Sequence, residues 1–117
     1  MSLFEDLRNK FIEIADGNYI VRVEGFLREK TRTQTKPIRW DLTIIDDVKG
    51  TLPTKFSHIE TDGGFNILRR ELKQLGYRPS SPEELEQALN DLKGKLVEIE
   101  LLTDGEFRNI RFVRRIN

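Results

Sequence analysis

His58, Glu60 and Asp62 are the residues whose types and spacing come nearest to a metal site, because imidazole and carboxylates are metal ligands and alternate strand positions share one face. They align only if an extended run persists to Asp62, and His58 is the single histidine, so hydrolytic metal chemistry is not expected. A serine nucleophile would also have to use His58, and no serine lies in a nucleophile-elbow context. The stretch 50–55 lacks the second glycine and the Lys-Ser/Thr ending of a phosphate loop. Gly63-Gly64 could offer backbone N–H groups to a phosphate, but Asp62 beside them would repel it, so the pair reads as a tight strand-to-helix turn. There is no cysteine, which removes disulfides, thiol catalysis and cysteine-bound zinc. The expectation is a protein that is not an enzyme and has neither metal nor cofactor.

Other residues point to binding. Residues 18–40 hold six basic side chains, Arg22, Arg28, Lys30, Arg32, Lys36 and Arg39, against Glu24 and Glu29. Residues 105–117 hold four arginines against Glu106, whereas 83–104 hold seven acids against Lys93 and Lys95. The net charge is zero, yet this segregation can still create one basic face. Basic groups beside aromatic rings are the chemistry of single-stranded nucleic acid, where cations track phosphates and bases stack on rings for about 1–3 kcal/mol each.

The elements that must position these groups follow from periodicity. Residues 51–76 run from a β-rich stretch with Leu52, Phe56 and Ile59 into Phe65, Leu68, Leu72 and Leu75, a strand feeding a helix, with Asp62 as N-cap and Gly76 as C-terminal cap. Ser2 and Glu5 have capping-box spacing, and Leu3, Phe4, Leu7 and Phe11 form the stripe of an N-terminal helix ended by Asp16-Gly17. That helix plugs one end of the fold; a homodimer or partner contact is its alternative role. Residues 19–30 alternate as a first strand, with Tyr19, Val21 and Val23 opposite Ile20, Arg22 and Glu24. Unbroken alternation places Phe26 on the polar face with Arg22 and Arg28, while a bulge at Gly25 would turn it inward. The polar loop 31–35 leads to a second strand in which Ile38, Trp40, Leu42 and Ile44 share a face, so Trp40 reads as core or as a stacking platform. Arg39 and Lys55 project opposite Trp40 and Phe56. Ser81-Pro82-Glu83-Glu84 starts another helix, ended by Gly94. Strands at 96–102 and from Glu106 to about Ile116 flank a turn at Thr103-Asp104-Gly105.

Five strands with helices between the third and fourth is the plan of the OB-fold barrel. The expected fold is mainly β: a single OB-fold-like domain over 1–117, five-stranded, with two helices between strands three and four and one at the N-terminus. Such barrels bind oligonucleotides on the outer surface of strands two and three and the adjoining loops. The expected nucleic-acid contacts are therefore Arg22, Arg28, Lys30, Arg32, Lys36, Arg39 and Lys55 to phosphates and Phe26 or Trp40 to bases, with Arg111 auxiliary. With 37% hydrophobic and 34% charged residues, no run approaching the roughly 20 apolar residues of a membrane span and no signal-peptide pattern before Glu5, the expected location is cytoplasmic.

The stretch Phe56-Ser57-His58-Ile59-Glu60-Thr61-Asp62-Gly63-Gly64-Phe65, followed by Leu68, Leu72 and Leu75-Gly76-Tyr77, resembles a family of small bacteriophage and prophage OB-fold single-stranded DNA-binding proteins, formerly a domain of unknown function. Gly17-Asn18-Tyr19 with Val21 and Val23 is similar to the family's opening strand, Leu92-Lys93-Gly94-Lys95 with Val97 to its fourth-strand approach, and Glu106-Phe107-Arg108-Asn109 to its closing strand. The resemblance covers most of the chain from about Gly17 and implies sequence-tolerant binding of single-stranded DNA during phage replication or recombination in the bacterial cytoplasm, with replication or recombination proteins as further partners. Single-strand binders often carry an acidic tail that recruits partners; residues 111–117 are basic instead. The alternative function is a protein-interaction module, an adaptor or inhibitor of a host protein on the same barrel. A small metal-dependent nuclease is the third.

Overall fold

The computed structural model describes residues 12–28 and 35–117. Lys30, Arg32 and residues 2–11 of the expected N-terminal helix lie outside the described residues. Residues 12–16 are not helical: Glu13 makes a parallel bridge to Thr51 and Ile14 is buried. The helix expected to run to Asp16-Gly17 therefore does not include them.

Alternation produces β1 (Gly17–Arg28), in which Val21 and Val23 are buried and Arg22 and Glu24 exposed. It pairs with β2 (Ile38–Ile44), and the register shifts between Val23 and Gly25. Of the two alternatives that Gly25 left open, unbroken alternation or a bulge, this is the bulge. Its extra residue reverses the parity of the rest of the strand, so Phe26 lies opposite Trp40 on the inner face, with ring centroids 5.7 Å apart.

The third strand, β3 (Lys55–Ser57), has three residues. Trp40 opposes Lys55 and Arg39 opposes Phe56, so the inward face of Trp40 is also that of Lys55 and Ser57, and Phe56 turns outward. The expected parity of this strand is thereby reversed. Trp40 Nε1 donates to Ser57 Oγ at 2.9 Å, which satisfies the buried indole N–H.

Two helices come next, α1 (Asp62–Gln74) and α2 (Pro82–Asp91). Thr61, not Asp62, caps α1, its hydroxyl accepting from Gly64 N at 3.1 Å. Gly64 allows α1 to start this close to the end of β3, since a Cβ there would lie 2.5 Å from the His58 carbonyl oxygen. Ser81 caps α2 and accepts from Glu84 N, as the sequence predicts. Strands β4 (Leu96–Asp104) and β5 (Phe107–Arg115) close the chain as a hairpin whose turn residue Gly105 has φ +63°. The antiparallel sheet has the order β3-β2-β1-β4-β5. Leu68, Leu72 and Leu75 of the α1 region and Leu89 and Leu92 of the α2 region pack with Val21, Val23, Trp40, Val97, Ile99, Leu101 and Phe112 in one core. Trp40 meets Phe112 edge-on at 5.0 Å.

The sheet does not close on itself: β3 and β5 are its edges, and α1 lies against both. Side chains fill the seam. Lys55 Nζ donates to Glu71 Oε1 at 3.0 Å and to the Ile110 carbonyl of β5 at 2.7 Å, while Glu71 Oε1 accepts the Phe112 amide at 3.0 Å. Gln74, with its amide turned to donate, reaches the carbonyls of Phe112 and Val113 at 3.2 and 3.1 Å. Edge groups that a neighbouring strand would satisfy are satisfied by side chains of α1 and β3 instead. No helix among the described residues is long and apolar enough to cross a membrane.

Candidate nucleic-acid interface

The solvent face of β1, β2 and β3 is built by the register. Leu27 opposes Arg39, and Arg39 opposes Phe56, so these three stand in one row across the strands on the face away from the core. Phe56 is 40% exposed and Leu27 45%, which leaves a ring and an alkyl side chain in solvent on either side of a guanidinium. His58 continues past Phe56, with ring centroids 6.5 Å apart. Toward the other end, Arg22 opposes Thr43 on the same face.

The basic residues expected here are held by specific partners. Arg22 pairs with Glu24. Arg28 donates to the Lys36 carbonyl at 2.7 Å and to Glu60 Oε1 at 3.3 Å, and the same carboxylate oxygen accepts the Lys36 amide at 3.0 Å. Glu60 thus fastens the end of β1 to the start of β2. Arg111 pairs with Glu100 across β4 and β5, and it lines the groove that β5 shares with Phe56 of β3. The Arg22 and Arg28 side chains remain 48% exposed. Exposed ion pairs of this kind contribute about 0.2–1 kcal/mol each, so a phosphate can take over the cation at little cost.

Three expected contacts are corrected. Lys55 is 5% exposed and belongs to the seam with Glu71, because the outward turn of Phe56 puts its neighbour inside. Burial pushes its ammonium below the ordinary value of 10.5, and the Glu71 charge opposes that shift. Trp40 is 3% exposed and edge-packed on Phe112, a core residue, so it offers no stacking face. Phe26 is half-buried against Trp40, and the Lys93 ammonium lies 5.0 Å from its ring centroid. His58, Glu60 and Asp62 gather no metal site: among the described residues no three His, Cys, Asp or Glu side chains are placed to hold an ion.

Phe56 is the aromatic that sequence reasoning missed. The available signal was Glu71, a carboxylate within the apolar stripe Leu68, Leu72 and Leu75, which requires a buried cation nearby and so turns Lys55 inward. A groove of about 480 Å3 runs beside Phe56 between β3, α1 and β5, lined also by His58, Ile67, Arg108, Asn109 and Arg111. Also missed were Arg69, Arg70, Lys73 and Arg78, whose signal is a basic run at helical spacing opposite that apolar stripe. At the far hairpin, Phe107 is 73% exposed and Leu102 51%. Beneath them Asp16 accepts from the Thr103 hydroxyl and amide at 2.8 and 2.9 Å, and with Arg108 beside it these bonds hold its carboxyl below the ordinary 3.8. The chain matches no family model and no curated protein.

Proposed function

We propose that this protein binds single-stranded DNA without sequence preference, and without catalysis, on the solvent face of β1, β2 and β3. The row Leu27, Arg39 and Phe56 carries the reading, because it joins an exposed ring to a cation where a purely solvated face would carry neither together. Phe56 stacks a base. Arg39, with Arg22, Arg28, Lys36 and the sequence-expected contacts Lys30 and Arg32, meets phosphates. On this reading the sheet and α1 form an OB-like barrel whose last gap, between β3 and β5, is spanned by Lys55, Glu71 and Gln74 rather than by a strand ladder. A role in phage or prophage replication or recombination, in the bacterial cytoplasm, rests on the family resemblance alone.

The test compares variants for binding to a labelled thymine oligomer. Phe56→Ala is expected to weaken binding by roughly tenfold or more, the loss of one stack. The pair Arg28→Glu and Arg39→Glu is expected to weaken it by well over tenfold, since each reversal replaces a phosphate attraction with a repulsion. Unchanged affinity in both would remove this face from the account. A second reading, a protein-interaction module, is favoured by the exposed Phe107 and Leu102 at the β4–β5 hairpin. It requires a protein partner whose binding is abolished in Phe107→Ala while DNA affinity is unchanged.

A further inference from the structure

One cluster of positive charge that stands in no ion pair lies off the strands, on α1 and the turn after it. Arg22, Arg28, Arg108, Arg111, Arg114 and Arg115 all stand in ion pairs. Arg69, Arg70 and Lys73 on the outer side of α1 do not, nor does Arg78 in the turn after it, among the described residues. These four exposed cations line one shallow concavity of about 390 Å3, and no carboxylate lines it.

The helix has no acid to offer them. Asp62 sits in the first turn, and Glu71 is buried and occupied by Lys55 and the Phe112 amide. Arg69 and Lys73 are four residues apart, a spacing at which opposite charges stabilise a helix and like charges destabilise it. Solvated surfaces intersperse both signs. A helix face that keeps three cations together, joined by a fourth from the next turn, suits a polyanion.

We infer that this α1 face binds the phosphodiester backbone of the same single strand whose bases stack on Phe56, an inference that rests on the single-stranded DNA reading above. Continuity selects this ligand over an acidic peptide. The groove beside Phe56 is lined by Ile67, which is 55% exposed, and Arg70 lies three residues beyond Ile67 on the same side of α1. A strand leaving the ring of Phe56 can cross this groove and arrive at Arg70, then at Arg69, Lys73 and Arg78. Arg69 and Lys73 are offset by about 6 Å along the helix axis, the scale of one backbone step. The contacts are to phosphates, so they add affinity and salt dependence and no sequence preference.

The experiment is anisotropy of the full chain with a labelled thymine 30-mer over a salt series. It is run on wild type, on Arg69→Gln/Lys73→Gln/Arg78→Gln, and on Arg28→Glu/Arg39→Glu, with thermal melts confirming that each variant folds. The α1 triple variant is expected to flatten the slope of log affinity against log salt by about 2, at about 0.7 for each phosphate left without its cation. Restoring charge with Arg69→Lys/Arg78→Lys, Lys73 being retained, is expected to return the wild-type slope. A triple variant with the wild-type slope, beside a weakened Arg28/Arg39 variant, would overturn the α1 path and leave the strand-face reading standing. A flattened slope in the triple variant with an unaffected Arg28/Arg39 variant would support the α1 contacts and count against the strand face. Wild type that binds poly-glutamate and no DNA would overturn both and assign the cluster to an acidic protein.

Discussion

At the scale of single residues, Lys55 and Glu71 decide the geometry of the candidate site. Each is buried, and together they satisfy the Ile110 carbonyl and the Phe112 amide on the edge of β5. Removing one member of such a pair strands a charge, so Lys55→Met is expected to lower stability by about 3–5 kcal/mol, read from the urea midpoint. Adding Glu71→Gln should recover part of that loss, because the neutral amide oxygen still accepts from Phe112 while the buried charge is gone. A single-variant cost below about 1 kcal/mol would mean that water reaches the pair. Asp16 sets a pH dependence. Its folded carboxyl titrates below 3.8, chiefly through the Thr103 hydroxyl and then the Thr103 amide, so the unfolded chain takes up the proton first. The stabilisation is complete above 3.8 and is lost as the pH falls through the lower folded value. Asp16→Asn should therefore melt below wild type at neutral pH, with the gap shrinking in acid; a constant gap would contradict this. The inward Trp40 was legible from its parity with Ile38, Leu42 and Ile44. Lys55 was not, since a lysine beside a phenylalanine in a strand reads as the outer of the two until its partner, sixteen residues on, is considered.

Among the elements, the junction of β3 and α1 is the tightest. His58 backs directly on Gly64, where a Cβ would meet a carbonyl oxygen at 2.5 Å. Gly64→Ala is expected to cost about 1–3 kcal/mol by forcing α1 away from β3, and Gly63→Ala, which meets open space, much less. Equal losses in the two would show that helix propensity, not this contact, sets the cost. Long periodic elements were legible: β1, β2, both helices and the β4–β5 hairpin follow from alternation, caps and turn residues, while the bulge at Gly25 was one of two alternatives that local pattern left open. The third strand was legible as an element but not in its parity, because three paired residues hold too little alternation to fix which side faces the core. The α1 start also moved by one residue, since Thr61 and Asp62 are both competent caps and only the bond to Gly64 N distinguishes them. Residues 12–16 bridge to Thr51 instead of continuing a helix, a long-range pairing that no local pattern encodes.

For the molecule as a whole, a net charge of zero conceals a sharp division. Arg22, Arg28, Arg111 and Arg114 on the strands are matched by carboxylates, Arg69, Arg70 and Lys73 of α1 stand in no ion pair among the described residues, and α2 gathers Glu83, Glu84 and Glu86. Charge along the sequence reveals basic residues near the first loop but passes over α1, because Asp62 and Glu71 offset its charge in the sequence while burial removes Glu71 from the surface. On the proposed reading, the exposed ring of Phe56, the groove beside it and the basic face of α1 are successive contacts of one single strand. The central claim is tested most directly by anisotropy of the wild-type chain with a labelled thymine 30-mer, competed by duplex DNA, across a salt series. Saturable binding that duplex competes poorly is expected, with log affinity falling steeply against log salt at about 0.7 per phosphate neutralised. A flat trace at low salt and high protein concentration, or equal competition by duplex, would contradict it.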